Sequence, residues 1–137
     1  MSNKKIYFSA SVYGGRELLN DYIRLINELK KHGEVLTEEL GDINLLKDEE
    51  KLTPQIIYET DVEKINNADI VFAELTVPSL GVGYELGYAE AHNKKIVGIY
   101  NQTIKEKITP MITGNENITI IGYKNIDEII KKLESLI

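Results

Sequence analysis

Within Pro78–Gly87 (PSLGVGYELG), three glycines, a serine and a glutamate, Glu85, fall in ten residues. The run follows an apolar, strand-like stretch, Ile70–Ala73, and passes into a helix-like one. This places Glu85 in the first turn of a helix, behind a glycine-rich loop at a strand's end. Core packing explains such a carboxylate poorly, and two readings stand. In one, Glu85 is a nucleophile: a carboxylate can attack a sugar's anomeric carbon and form a covalent glycosyl-enzyme that water or another acceptor resolves. A helix N-terminus would favour its ionised form. In the other, it is a first-turn acid that serves the helix dipole alone. Ser79, Gly81 and Gly83 could wall an anion site. Gly81-x-Gly83-x-x-x-Gly87 misses GxGxxG by one residue and follows the third strand, not the first, so it is no dinucleotide fingerprint.

Asp61, in ETDV on a second helix, is the next candidate. Cleaving an N-glycosidic bond needs an acid, or another means of stabilising the departing base, besides the nucleophile. Its alternative is an exposed helix aspartate. Glu74, at the third strand's end, is a reserve acid or a support behind the Gly81 loop. Gly14-Gly15-Arg16 follows the first strand: glycines allow close approach to an anion, and arginine binds phosphate. A plain strand–helix turn has the same composition. Tyr7 faces the cleft or packs in the core. His32 and His92 read as helix-end surface residues, and the Lys30-Lys31 and Lys94-Lys95 pairs as solvated charges.

These residues need elements to hold them. Lys5–Ser11 (KIYFSAS) reads as a first strand, and Arg16–Lys31 as an amphipathic helix closed by Gly33. Val35–Thr37 is a short second strand. Residues 38–52 read as a long, acid-rich loop, the usual place for a lid or binding loop. Thr53-Pro54 gives an N-cap with proline at N1, opening a helix to about Asn66. Asp69–Leu75 is a third strand, followed by a helix over Val82–His92. Lys95–Tyr100 and Ile118–Tyr123 are the last strands. A short helix interrupted at Pro110 lies between them, and an amphipathic helix over Ile126–Ile137 closes the chain. Strands alternating with helices predict an α/β, flavodoxin-like three-layer sandwich with a five-stranded parallel sheet in the order 2-1-3-4-5. Ligands of such folds bind beyond the strands' carboxyl ends, where the order reverses. That brings Ser11–Arg16 beside Thr76–Gly83.

The 137 residues fit a single domain, residues 1–137, and 42% hydrophobic residues provide for a core. A net charge of −6 argues against a nucleic acid polymer as partner. With no cysteine and two histidines, neither thiolate chemistry nor a catalytic zinc site is expected, and no metal or other cofactor is called for. No stretch has the ~20 apolar residues of a membrane span, and the N-terminus does not read as a signal peptide, so a cytoplasmic protein is expected.

The run ADIVFAELTVPSLGVGYELGYAEA, together with KIYFSASVYGGRE, resembles the 2'-deoxynucleoside 5'-monophosphate N-glycosidases (Rcl-like hydrolases) of the nucleoside 2-deoxyribosyltransferase family. The resemblance covers nearly the whole chain. It implies hydrolysis of the bond between base and deoxyribose, with Glu85 as nucleophile, Asp61 as the catalytic aspartate and Tyr7 beside the sugar. It also implies phosphate-holding positions at Ser11, Gly14, Gly15, Arg16, Ser79 and Gly81. A homodimer with shared sites is implied too, Thr109, beside Met111, being the position a neighbouring subunit contributes. Transferases acting on free nucleosides usually carry aspartate at the place of Ser79, and a typical aromatic, acid-containing tail that this chain lacks; both differences favour a nucleotide substrate. Three departures bear on phosphate: Tyr13 replaces an arginine, Glu39 a histidine, and Thr109, followed by Pro110, a serine. A transferase, or a hydrolase of unphosphorylated deoxynucleosides, is the alternative.

Overall fold

The computed structural model describes residues 3–13 and 16–137. Five parallel strands form one sheet in the order β2-β1-β3-β4-β5, as the strand–helix alternation predicts. They are β1 (Lys5–Ser9), β2 (Glu34–Val35), β3 (Ile70–Glu74), β4 (Lys95–Asn101) and β5 (Ile118–Tyr123). The helices are α1 (Leu19–Leu29), α2 (Leu45–Glu49), α3 (Pro54–Asn67), α4 (Leu80–Ala91), α5 (Pro110–Thr113), α6 (Ile126–Ile130) and α7 (Leu133–Leu136).

Side chains alternate across each strand, and the sheet divides the core in two. Ile6, Phe8, Ile70 and Phe72 pack against Tyr22, Leu25 and Leu29 of α1 and Ile129 and Leu133 of the C-terminal helices. Tyr7, Val71, Ala73 and Ile96 pack on the opposite face, against Ile65 of α3 and Val82, Leu86 and Ala89 of α4. β3 is buried along its whole length, as the central strand of a covered parallel sheet must be.

Several boundaries differ from the sequence reading. Residues 38–52 are not a plain loop: a 3₁₀ turn at Glu38–Gly41 and α2 occupy it, anchored by buried Leu40 and Leu45. α4 starts two residues earlier than expected, because Ser79 is its N-cap, its hydroxyl accepting from Val82 N–H at 3.2 Å. Thr53 caps α3 as read, accepting from Ile56 N–H at 3.2 Å. Pro110 opens α5 rather than interrupting a helix, and the closing helix is split into α6 and α7. Gly33 serves close approach: a Cβ there would lie 2.4 Å from the Lys4 carbonyl oxygen, at the start of the β1–β2 pairing.

Glu74 ends β3 on the α1 face, fully buried, and so stands across the sheet from Glu85. Its carboxyl accepts from Thr76 N–H at 2.6 Å, Thr76 Oγ1 at 2.9 Å and the Tyr123 hydroxyl. Thr76 Oγ1 in turn accepts from Asn101 N–H at 2.8 Å. The carboxyl thus ties together the ends of β3, β4 and β5 where the chain leaves for the Ser79 turn. Burial raises its pKa, and the hydrogen bonds from Tyr123 and Thr76 oppose that rise. Replacing Tyr123 by Phe removes one donor from a buried acid. This should cost about 1–3 kcal/mol of stability, read from the urea midpoint, with the fold intact.

Candidate active site

Tyr7 and Ser9 lie two residues apart on β1 and therefore face the same side, toward α4. Both hydroxyls donate to Glu85. Tyr7 reaches Oε2 at 2.5 Å and Ser9 reaches Oε1 at 2.8 Å. Each carboxylate oxygen is thus held from the sheet, and the side chain cannot turn away. Because α4 starts at Leu80, Glu85 sits in its second turn, not the first. The helix dipole acts within the first turn, so it does not set the ionisation of Glu85. Burial does, and raises the carboxyl's pKa; the Tyr7 and Ser9 hydrogen bonds oppose this, and the charge of Glu49 adds to the rise. Tyr7 is held far above its ordinary value by burial and by the charges of Glu85 and Asp61, so it stays a phenol and a donor.

Asp61 is half-buried on α3, and no described residue hydrogen-bonds its carboxyl. Burial first, then the Glu85 charge, pushes its pKa up to about 7; Lys64 lowers it, and Glu49 and Glu39 raise it. The second environment that the chemistry needs is therefore present: one carboxyl clamped by donors, another placed to carry a proton near neutrality. Glu39 does not confront the cleft as a bare charge, because Lys64 Nζ donates to it at 2.7 Å. Glu49, on α2, accepts from the Tyr13 hydroxyl at 2.8 Å, so this contact links α2 to the turn after β1. Among the described residues these acids do not converge as a metal-holding group.

Tyr7, Asp61 and Glu85 line one open cavity of about 1170 Å³; ligand sites typically fill ~300–1,000 Å³. Ser79, Gly81, Thr109 and Met111 also line it. A glycine in a helix costs about 0.5–1 kcal/mol relative to alanine, and α4 holds three. Two have a visible use in keeping the wall bare: a Cβ at Gly81 would meet only Ser79 Oγ at 3.7 Å, and one at Gly83 nothing within 4 Å. Thr109 caps α5, accepting from Met111 N–H at 3.4 Å.

Ser11 and Arg16 stand elsewhere than the sequence suggested. Neither lines the cavity; the intervening turn contributes Val12 and Tyr13 instead. Ser11 is fully buried with its hydroxyl unpartnered. Arg16 Nη2 donates to the carbonyls of Leu40 at 2.8 Å and Asp42 at 2.9 Å, holding the 38–42 turn, and Nη1 is buried without a partner. Gly14 and Gly15 lie outside the described residues. Three lining or supporting residues were not singled out. Ser9 was findable, since period two puts it beside Tyr7. Glu49 was hidden by reading α2 as loop. Lys105, the one cation on the cavity wall among the described residues, carries no local signal.

The fold and site define a class of glycosyl-transferring enzymes. The chain belongs to the nucleoside 2-deoxyribosyltransferase family, whose model matches residues 6–120. It is 43% identical over 116 residues to a Nematostella vectensis protein provisionally named 2'-deoxynucleoside 5'-phosphate N-hydrolase 1, covering 83% of this chain and 79% of that one. The 5-hydroxymethyl-dUMP N-hydrolase of Rattus norvegicus is 41% identical over 111 residues, 80% of this chain and 68% of that one. Among solved structures, the CMP N-glycosidase of Clostridium botulinum superposes with a TM-score of 0.69 at 25% identity, over 96% of this chain and 99% of that one.

The Asp61 shift has a direction that can be checked. Its folded-state pKa stands above the unfolded value, so the folded protein holds the proton longer. Stability should therefore fall as pH rises from about 4 to about 7 and level off above. In Glu85→Gln the second cause is removed and burial remains. A carboxyl ¹³C NMR titration should then show the Asp61 midpoint moving below about 7 yet staying above the ordinary aspartate value.

Proposed function

We propose that this chain is an N-glycosidase of 2'-deoxynucleoside 5'-monophosphates, releasing the free base and deoxyribose 5-phosphate. The observation that carries this reading is Glu85, clamped by Tyr7 and Ser9 beneath a cavity that also holds Asp61, whose carboxyl no described residue hydrogen-bonds. The relatives named as N-hydrolases of deoxynucleotides support it. Glu85 attacks C1'; the C1'–N bond breaks and its electron pair leaves with the base. Asp61 gives the departing base its proton or positions base and sugar for departure. Water then attacks C1' of the glycosyl ester, Glu85 leaves as carboxylate, and the water's proton returns to Asp61. Tyr7 fills the space next to the nucleophile where a ribose 2'-hydroxyl would sit, and keeps Glu85 aimed.

The 5'-phosphate falls to Ser79, the bare helix start at Gly81, Thr109 and Lys105. Ser79 Oγ accepts from Val82, which leaves its O–H free to donate to an anion. Met111 closes the rim. With a neutral phenol at Tyr13 and Arg16 off the cavity wall, Lys105 supplies the charge. Ser11, buried and off the cavity wall, is left out of this grip. We also propose a single domain that works in the cytoplasm as a homodimer whose sites lie at the shared interface. Leu80, 97% exposed, and Met111, 84% exposed, support an apolar rim that a second copy would cover. Among the described residues no helix is long and apolar enough to cross a membrane.

A second reading keeps the covalent step and changes the substrate: action on unphosphorylated deoxynucleosides, or transfer to a second base. The engagement of Arg16 Nη2 with backbone carbonyls favours it, since Arg16 does not line the cavity where a phosphate would sit. A panel of deoxynucleotides, ribonucleotides and deoxynucleosides, with free base followed by chromatography, separates the cases. The expected outcome is base release from deoxynucleotides, abolished by Glu85→Ala and reduced about 10²–10⁴-fold by Asp61→Asn. Base release undiminished by Glu85→Ala would refute the nucleophile. A new nucleoside formed with an added acceptor base would show transfer.

A further inference from the structure

The cavity wall is chemically divided. Its one cation among the described residues is Lys105, and two of its hydroxyls, Ser79 and Thr109, cap helix N-termini. The α2–α3 side carries Glu49 and Asp61, with Glu39 already matched to Lys64. A 5'-phosphate is repelled by that acidic side. With C1' placed at Glu85, between phosphate and base, the base must therefore extend toward α2 and α3. Glu49 is the carboxylate there with a fixed geometry. Tyr13 holds Oε1 at 2.8 Å, and no described residue donates to Oε2.

Resting on the glycosidase reading, we propose that Glu49 is the specificity-determining residue for the base, selecting nucleobases that carry an exocyclic hydrogen-bond donor. An ionised carboxylate only accepts. It pairs with an amino group, as acidic side chains do with the cytosine N4 amino group, or with a hydroxymethyl group. It repels a bare carbonyl oxygen and gains nothing from a methyl. Cytosine, adenine, guanine and 5-hydroxymethyluracil fall in the accepted class; uracil and thymine do not. Tyr13 is the positioning residue that leaves one Glu49 oxygen free for the base.

Two substrate pairs test this with minimal change. dCMP and dUMP differ chiefly by amino against oxo at C4, and 5-hydroxymethyl-dUMP and dTMP by one oxygen. For the unaltered protein, kcat/KM should favour the donor-bearing member of each pair on the order of tenfold. Glu49→Gln presents an amide that both donates and accepts, so the dCMP/dUMP ratio should collapse toward one; Glu49→Ala presents no acceptor, so both ratios should collapse, with Tm unchanged. Tyr13→Phe should reduce both ratios part-way. A dCMP/dUMP ratio unchanged in Glu49→Gln, ratios unchanged in Glu49→Ala, a uniform loss across all four substrates, or a preference of the unaltered protein for dUMP and dTMP would each overturn the proposal. Failure to cleave any of the four substrates would instead overturn the glycosidase reading on which it rests.

Discussion

The pair of hydrogen bonds from Tyr7 and Ser9 to Glu85 is the constraint on which the site depends. A carboxylate taken out of water is costly unless donors meet its oxygens, and here each oxygen receives one. The donors come from the buried face of β1, so the nucleophile candidate is registered against the sheet itself, while its backbone belongs to α4. Strand pairing then fixes the distance: Tyr7 is held beside Val71 of β3, and β3 leads directly into the turn that opens α4. Glu74, on the opposite face, secures that exit through Thr76 and Tyr123. Two buried carboxyls on two faces thus serve different ends, one presented to a cavity and one sealed behind it.

Electrostatics organises what surrounds Glu85. Burial raises Asp61 and Glu85 alike, but among the described residues only Glu85 has hydrogen-bond donors to counter it. Their environments therefore differ in the sense that acid and nucleophile roles require. Around them, Lys64 neutralises Glu39, Tyr13 orients Glu49, and Arg16 is committed to the carbonyls of Leu40 and Asp42. Through Nη2, Arg16 braces the segment that leads into the acidic wall.

Much of this was legible in the residues. Thr53-Pro54 marks the start of α3 because capping chemistry is local. Strand β5 is read to the residue, and the order of the sheet follows from alternating strands and helices with right-handed crossovers. α2 escapes the sequence reading because a five-residue helix, LLKDE in an acid-rich stretch, shows no periodicity and is held through tertiary contacts such as that of buried Leu45. The start of α4 was misplaced because glycine-rich composition argues for loop, and the Ser79 cap that overrides it is a single hydrogen bond.

By itself, the sequence determined most of the elements, their order and the candidate acids, Asp61 and Glu85, since periodicity, caps and motif spacing act over a few residues. Only the tertiary structure decided which side chains meet. Ser9 joining Tyr7 on Glu85, Arg16 turning to the 38–42 turn, and Glu49 and Lys105 reaching the cavity are contacts between segments distant along the chain. The raised pKa of Asp61 belongs with them, because burial and the field of Glu85 exist only once α3 and α4 are packed against the sheet.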